Sequence, residues 1–306
     1  MPELPEVETI RRTIAPAIVG KEIVRVEVLT PKMLLGASPA EFCQTLRGRR
    51  FQTVERRGKY LLFQLEEVNQ TQAAKAAANF WLIIHLKMAG RLLLHRTGDP
   101  LEKHTHILWG LADGTELRYV DLRHFGRVVL WSGEQVPGLE PGRPAKASAA
   151  GEITATPELV SGLERLGPEP LSAAFTLDYL RAGLAGRKGR VKSLLLDQTF
   201  IAGLGNIYAD EVLHRAGIHP EREARQLQLA EVERLYAAIR EILTEAIALR
   251  GTTFATYVDG EGRKGEFANR LAVYGRDGQA CPRCGTPVVR RRLGGRSAHF
   301  CPHCQR

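Results

Sequence analysis

The chain of 306 residues has no hydrophobic run approaching the roughly twenty residues that a membrane-spanning helix needs. Its longest clear run, Phe80-Trp81-Leu82-Ile83-Ile84, has the length of a strand, so no membrane anchor or membrane partner is expected. A secretion signal is missing too. Glu3, Glu6 and Glu8 stand where a basic start and an apolar stretch would be needed, which predicts a cytoplasmic protein. Cysteine is scarce, and only Cys43 of the five lies outside the last 26 residues, a distribution that excludes a disulfide framework in a reducing compartment. Acidic residues are short in the later part of the chain. Residues 181–306 hold 21 Lys and Arg against 13 Asp and Glu and so carry +8 of the formal +9, an asymmetry that favours a polyanionic partner.

The four clustered cysteines, Cys281, Cys284, Cys301 and Cys304, form a Cys-x2-Cys, sixteen-residue, Cys-x2-Cys pattern. Two tight turns that each present a thiolate pair can close on one tetrahedral ion, so the spacing predicts a single structural Zn²⁺. Four thiolates and one Zn²⁺ carry a net charge of −2, which lowers the formal +9 to about +7. Arg283, Arg290, Arg291, Arg292 and Arg296 surround the pattern and keep its outer face positive.

Periodicity divides the rest. Leu4, Val7, Ile10, Ile14 and Ile18 recur at helical spacing up to Gly20. Short alternating runs follow at 23–28, 51–54, 60–65, 80–86, 91–94, 106–111, 117–120 and 128–131, with an Asp113-Gly114 hairpin signal. One helix followed by so many short strands predicts a β-sandwich with a helix packed on it, over residues 1–134. Residues 135–156 are rich in Gly, Pro, Ala and Ser and read as a linker or insertion, while Gln70 to Ala78 reads as an enlarged loop. Helical patterns then occupy 157–165, 176–184, 190–199, 206–215 and 228–250 within a domain of residues 157–270, and the ribbon takes 271–306. The class is α+β.

Two places carry chemistry. Pro2 becomes the amino terminus if Met1 is clipped, and an α-amino group with pKa near 7.7 to 8.0 is about a tenth unprotonated at pH 7, far more than an ordinary lysine. A secondary amine that attacks an aldehyde-level carbon yields a cationic iminium, an electron sink for covalent catalysis. Glu3 beside it can move protons, and Glu6 follows on the same face of a starting helix. Pro and Glu also simply suit a helix's first turn. The second place is Gly203-Leu204-Gly205-Asn206, which opens a helix and reads either as a phosphate-binding N-terminus or as a plain connecting turn.

Together the pieces resemble the formamidopyrimidine-DNA glycosylases, bacterial enzymes that excise oxidised purines. The resemblance runs from the Pro2-Glu3-Leu4-Pro5-Glu6 start through Arg57-Gly58-Lys59-Tyr60, His85-Leu86-Lys87-Met88-Ala89-Gly90, Lys103-His104-Thr105-His106, Asp121-Leu122-Arg123-His124-Phe125-Gly126 and Gly203-Leu204-Gly205-Asn206 to the ribbon. It implies a helix-two-turns-helix element in the helical domain, a β-hairpin finger in the ribbon, and a monomer acting on damaged double-stranded DNA. It also implies that Pro2 attacks C1′ of the damaged nucleotide, that Glu3 handles the proton at the sugar, and that β,δ-elimination then cuts the abasic strand. Lys59 and Arg296 match the residues assigned to the two eliminations, though phosphate positioning describes them equally well, since Arg hardly gives up a proton. Met88, Arg123 and Phe125 match the side chains that fill the void of the flipped nucleotide. His104, Lys188, Lys192 and Asn206 match DNA-backbone contacts, Glu6 and Glu211 the base pocket, and Val258 to Phe267 a loop over the everted base. His124 departs from the Arg or Lys of many relatives, which implies a weaker phosphate contact there.

Two alternatives remain. An endonuclease VIII-like glycosylase for oxidised pyrimidines shares the proline chemistry, but Leu4, Met88 and Phe125 argue against it. A catalytically inactive lesion-binding zinc protein would not need Pro2, Glu3, Lys59 and Arg296 together.

Overall fold

A computed structural model describes residues 2–68, 79–133, 136–139 and 157–306. The enlarged loop at 70–78, most of the 135–156 linker and the fate of Met1 lie outside the described residues. The chain forms two compact units, each discontinuous in sequence. The first comprises Met1–Pro2, Glu6–Arg165 and Thr252–Gly265, and the second Glu3–Pro5, Leu166–Gly251 and Glu266–Arg306.

In the first unit, α1 (Leu4–Ile18) buries Val7, Ile10, Ile14 and Ile18, and the chain turns at Gly20, where φ is +80° and the amide donates to Phe51 O at 2.8 Å. Two sheets follow. One has the order β1 (Ile23–Val28), β7 (Thr105–Leu111), β8 (Thr115–Asp121), β6 (Gly90–Arg96). The other runs β2 (Leu34–Leu35), β9 (Arg127–Ser132), β5 (Phe80–His85), β4 (Tyr60–Glu67), β3 (Arg49–Arg57). Phe63 and Leu82 of the second sheet share one core with Trp109 and Leu117 of the first and with the α1 stripe, as expected of a sandwich with a helix on it. Each strand read from alternation is present. Not read were β2, too short to show a period, and α2 (Pro39–Leu46), although Ser38 and Glu41 form a full capping box and Pro39 takes the first helical position.

The late segment Thr252–Gly265 belongs to this sandwich unit. Thr252 N donates to Glu6 Oε1 at 2.7 Å, Gly260 N to Thr13 Oγ1 at 3.0 Å, and Leu94 N to Gly260 O at 2.8 Å. The fully buried Asp259 accepts from Glu261 N and Arg263 N. This segment includes most of the loop matched to one over the everted base, and its backbone is anchored at several points.

The second unit is helical: α4 (Leu177–Leu184), α5 (Val191–Leu195), α6 (Asn206–Ala216) and α7 (Leu229–Ala248), while α3 (Pro157–Glu164) belongs to the first unit. The α7 stripe of Val232, Leu235, Ile239, Ile242, Leu243 and Ala246 packs on α6, whereas Leu229, at the start of the helix, is 53% exposed. Helix α5 is shorter than expected. Asp197 Oδ1 captures Thr199 N at 2.9 Å and starts the turns that lead to α6, so α5 and α6 form the helix-two-turns-helix element. The last hairpin, β10 (Val289–Leu293) and β11 (Arg296–Phe300), turns at Gly294-Gly295, both with positive φ as a type I′ turn requires.

Candidate active site and metal centre

In the sandwich unit, Lys59 follows Gly58 in the two-residue turn between β3 and β4, and Gly58 has the positive φ (+56°) such a turn needs first. Arg56 Nη1 donates to Gly58 O at 2.9 Å and Arg56 Nε to Glu8 Oε2 at 3.1 Å, tying the turn to α1. Burial alone would raise the Glu8 pKa, but Arg11, Arg12 and Arg56 bring it down to about 2. The carboxylate is therefore a fixed negative anchor beneath the lysine turn. Pro2 and Lys59 are both buried.

At the end of the sandwich where β5, β6, β8 and β9 terminate, Met88, Arg123 and Phe125 come together. Arg123 Nη1 lies 3.5 Å from Met88 Sδ, and its guanidinium sits 5.3 Å from the Phe125 ring centre. Met88 is 44% and Phe125 50% exposed, which rejects a core role for either. The loop of Arg123 and Phe125 is held by buried Asp121, which accepts from Arg123 N at 3.0 Å and Gly126 N at 2.8 Å.

In the helical unit the start of α6 already holds an anion. Glu3 is 2% exposed, and its carboxylate accepts from Ile207 N at 3.1 Å and from Tyr208 N at 3.5 Å, near the positive end of the helix dipole. Both glycines before the helix exist for this approach. A Cβ on Gly205 would stand 2.3 Å from the Glu3 carboxylate, and one on Gly203 2.7 Å from the Leu4 side chain. Gln198 spans the loop, donating to Leu204 O and accepting from Gly203 N.

Helix α6 also binds the hairpin from beneath. Asp210 pairs with Lys192 at 2.6 Å and accepts from His299 N at 2.9 Å and His299 Nδ1 at 3.2 Å. Lys192 Nζ further donates to Ser297 O at 2.6 Å, and Asn206 Nδ2 to Ser297 Oγ at 3.3 Å. Burial pulls the Lys192 pKa below the usual lysine range, opposed by Asp210. The next residue, Glu211, accepts from Ala272 N, Val273 N and Tyr274 N at 2.8 to 3.0 Å, although burial still raises its pKa. Arg296 and Lys188 are exposed.

The four cysteine Sγ atoms lie within 4.8 Å of one another. A tetrahedral ion with Zn–S bonds of about 2.3 Å needs sulfurs roughly 3.8 Å apart, so the set fits Zn²⁺ and Cys281, Cys284, Cys301 and Cys304 are its ligands. His214 Nε2 sits 3.4 Å from Cys281 Sγ, both side chains buried, a geometry suited to an N–H···S contact that neutralises thiolate charge. When bound, the ion cross-links the two cysteine turns.

Known proteins match the whole of this arrangement. Residues 1–128 match the formamidopyrimidine-DNA glycosylase N-terminal domain, 166–258 the H2TH domain of the same enzymes, and 278–306 the zinc finger found in FPG and IleRS. The formamidopyrimidine-DNA glycosylase of Pelotomaculum thermopropionicum is 44% identical over 306 residues, covering 100% of this chain and 99% of that protein. The chain belongs to the formamidopyrimidine-DNA glycosylase family. The Symbiobacterium thermophilum member is 46% identical over 305 residues, covering 100% of this chain and 89% of its own length. Among solved structures, a Lactococcus lactis FPG variant with Fapy-dG containing DNA superposes with a TM-score of 0.83 at 37% identity over 100% of both chains. The wild-type Lactococcus lactis FPG with an oxidised-pyrimidine containing DNA gives 0.82 at 37% identity, also over 100% of both.

In this formamidopyrimidine-DNA glycosylase, three residues expected at the DNA or the base pocket have partners within the chain. Lys192, expected on the DNA backbone, is 2% exposed and committed to Asp210 and Ser297, so it braces the hairpin that carries Arg296. Glu211, expected in the base pocket, has both oxygens on backbone amides of residues 272–274 and tethers the strap leading to the ribbon. Glu6, expected there too, is 1% exposed and accepts from Thr252 N. Asp210, His299, Gln198 and His214 were not singled out from the sequence. The available signal was Asp210 itself, an acid in a helix whose neighbours from Ile207 to His214 are all buried.

Proposed function

We propose that this glycosylase removes oxidised purines, 8-oxoguanine and formamidopyrimidines, from duplex DNA and then cleaves the abasic strand. The exposed trio of Met88, Arg123 and Phe125, in which Arg123 meets both apolar side chains, carries the reading. Exposed apolar side chains on two neighbouring loops are suited to entering a base stack, where Met88 and Phe125 replace the flipped nucleotide and Arg123 meets the orphaned partner base. Pro2, freed of Met1, attacks C1′ as its neutral amine and the damaged base leaves, with Glu3 moving the proton at the sugar. The iminium acidifies the C2′ hydrogen. Its loss expels the 3′ phosphate, and a second elimination expels the 5′ phosphate. Lys59 and Arg296 hold the phosphates through these steps, with His104, Lys188 and Asn206 on the backbone. One chain carries every group required, so the working form is a monomer on damaged double-stranded DNA in the cytoplasm.

Borohydride reduction tests this. Incubation with an 8-oxoguanine duplex and borohydride should trap a covalent adduct that peptide mass mapping places on Pro2, and an uncleaved N-terminal tag should abolish it. An adduct on Lys59, or undiminished turnover by tagged protein, would refute the assignment. The Lactococcus lactis complex with oxidised-pyrimidine DNA gives a second substrate arm. Faster excision of an oxidised pyrimidine than of 8-oxoguanine would move the chain to the pyrimidine reading.

A further inference from the structure

At the wedge end of the sandwich, three non-glycine residues adopt left-handed backbone: Lys87 at φ +50°, His104 at +70° and His124 at +57°. Each such residue costs on the order of 1 kcal/mol or more, and such strain tends to gather at functional sites. Here it brings three imidazoles together. The His124 ring lies 4.4 Å from the His106 ring and 6.1 Å from that of His104. His106 is fully engaged, with Nδ1 at Thr30 Oγ1 (2.9 Å) and Nε2 at Asp121 O (2.8 Å). A carbonyl only accepts, so Nε2 bears the proton. The half-buried His124, by contrast, has an enclosed Nδ1 with no hydrogen-bond partner among the described residues.

The groups facing His124 are Lys32 from the turn after β1, His104 and His106 at the start of β7, Asp121 at the end of β8, and Arg127 of β9, whose Nη1 donates to the His124 carbonyl at 2.9 Å. Asp121 is the single acid among them. Its two oxygens are taken by Arg123 N, Gly126 N and Tyr119 Oη. A proton on His124 therefore adds positive charge where the protein supplies no uncommitted counter-charge. Burial, and then Lys32, hold the His124 pKa below the ordinary histidine value.

We propose that His124, with His104, His106 and Lys32 around it, forms a proton-linked anion site for a DNA phosphodiester. The phosphate supplies the missing counter-charge, and DNA binding at this site takes up one proton. The inference rests on the DNA-binding reading above. By linkage, whatever protonation gives to binding, binding returns as a raised His124 pKa, so affinity falls as pH rises through the range where His124 loses its proton.

The test measures binding of an uncleavable abasic-analogue duplex from pH 5.5 to 8.5 at constant ionic strength. His124→Asn removes the titrating ring and keeps a residue that tolerates left-handed backbone, while His124→Arg supplies a fixed charge. Wild-type affinity should fall about tenfold more than that of H124N between pH 6 and 8, and H124R should remove this extra fall and bind more tightly than wild type at pH 8. Parallel profiles for wild type and H124N would overturn the proposal. Ring-labelled histidine NMR on the wild-type protein needs no variant: inorganic phosphate should raise the His124 pKa, and an unmoved titration would also overturn the proposal. If wild type binds no damaged duplex at any pH while phosphate still moves His124, the DNA-binding reading has failed and the anion site stands.

Discussion

The two units hold their functional side chains in opposite ways. The sandwich displays them, with Met88 on the turn between β5 and β6 and Arg123 and Phe125 on the loop between β8 and β9, all three exposed, and with the buried Asp121 carboxylate supporting the second loop. The helical unit mounts its exposed group, Arg296, on a hairpin fixed from within by Lys192, Asp210 and His299, all at or below 5% exposure. Solvent-exposed reading heads can be changed with little cost to folding. Buried ion pairs cannot, because removing one partner strands the other charge in a poorly solvated place.

The largest break in this contrast should come from the metal. Cys281→Ser, or chelation, removes one corner of the zinc site and with it the fixed position of Arg296. DNA affinity should drop at least a hundredfold, while circular dichroism keeps the strand signal of the sandwich, which has a core of its own. Unchanged affinity in the metal-free protein would show that the ribbon does not hold DNA.

Asp210→Ala should come next. It leaves the Lys192 ammonium buried without its carboxylate, at a cost of about 3–5 kcal/mol, read as a lower midpoint in denaturant for the helical transition. Adding Lys192→Met should recover much of that loss, since the stranded charge is then gone. If the single and double variants are equally destabilised, the pair is not what holds the hairpin.

The smallest effect on folding, and the most selective one on function, belongs to the wedges. Met88→Ala and Phe125→Ala should change stability by no more than about 0.5 kcal/mol, as exposed positions do. On an 8-oxoguanine duplex each should nevertheless cost about 1–3 kcal/mol of productive binding, and most of that loss should vanish on a preformed abasic duplex, where unstacking is cheap. Equal losses on both substrates would mean that these side chains do not act in flipping.

This contrast also accounts for what the sequence disclosed. The strands, the helical stripes and the cysteine spacing rest on periodicity and local geometry, which a single chain records directly. The roles of Lys192 and Glu211 do not. A lysine on a basic segment reads as a phosphate contact, yet its partner is an aspartate eighteen positions later, and the partners of Glu211 are amides sixty-one to sixty-three positions later. The glycines of 203–205 were legible as a close approach to an anion, but only the fold identifies that anion as the chain's own Glu3.

The return of residues 252–265 to the sandwich has a consequence for biosynthesis. Glu6, Thr13 and Leu94 wait for hydrogen-bond partners that are translated far later, Thr252 for the first and Gly260 for the other two. At about 5–20 residues per second the ribosome needs roughly 12–50 s to travel from α1 to that segment. Through that interval the nascent sandwich lacks its closing piece, and helices α4 to α7 are translated before it arrives. Its completion is therefore a late event in synthesis, and a ribosome stalled anywhere before residue 252 leaves the nascent amino-terminal unit unfinished.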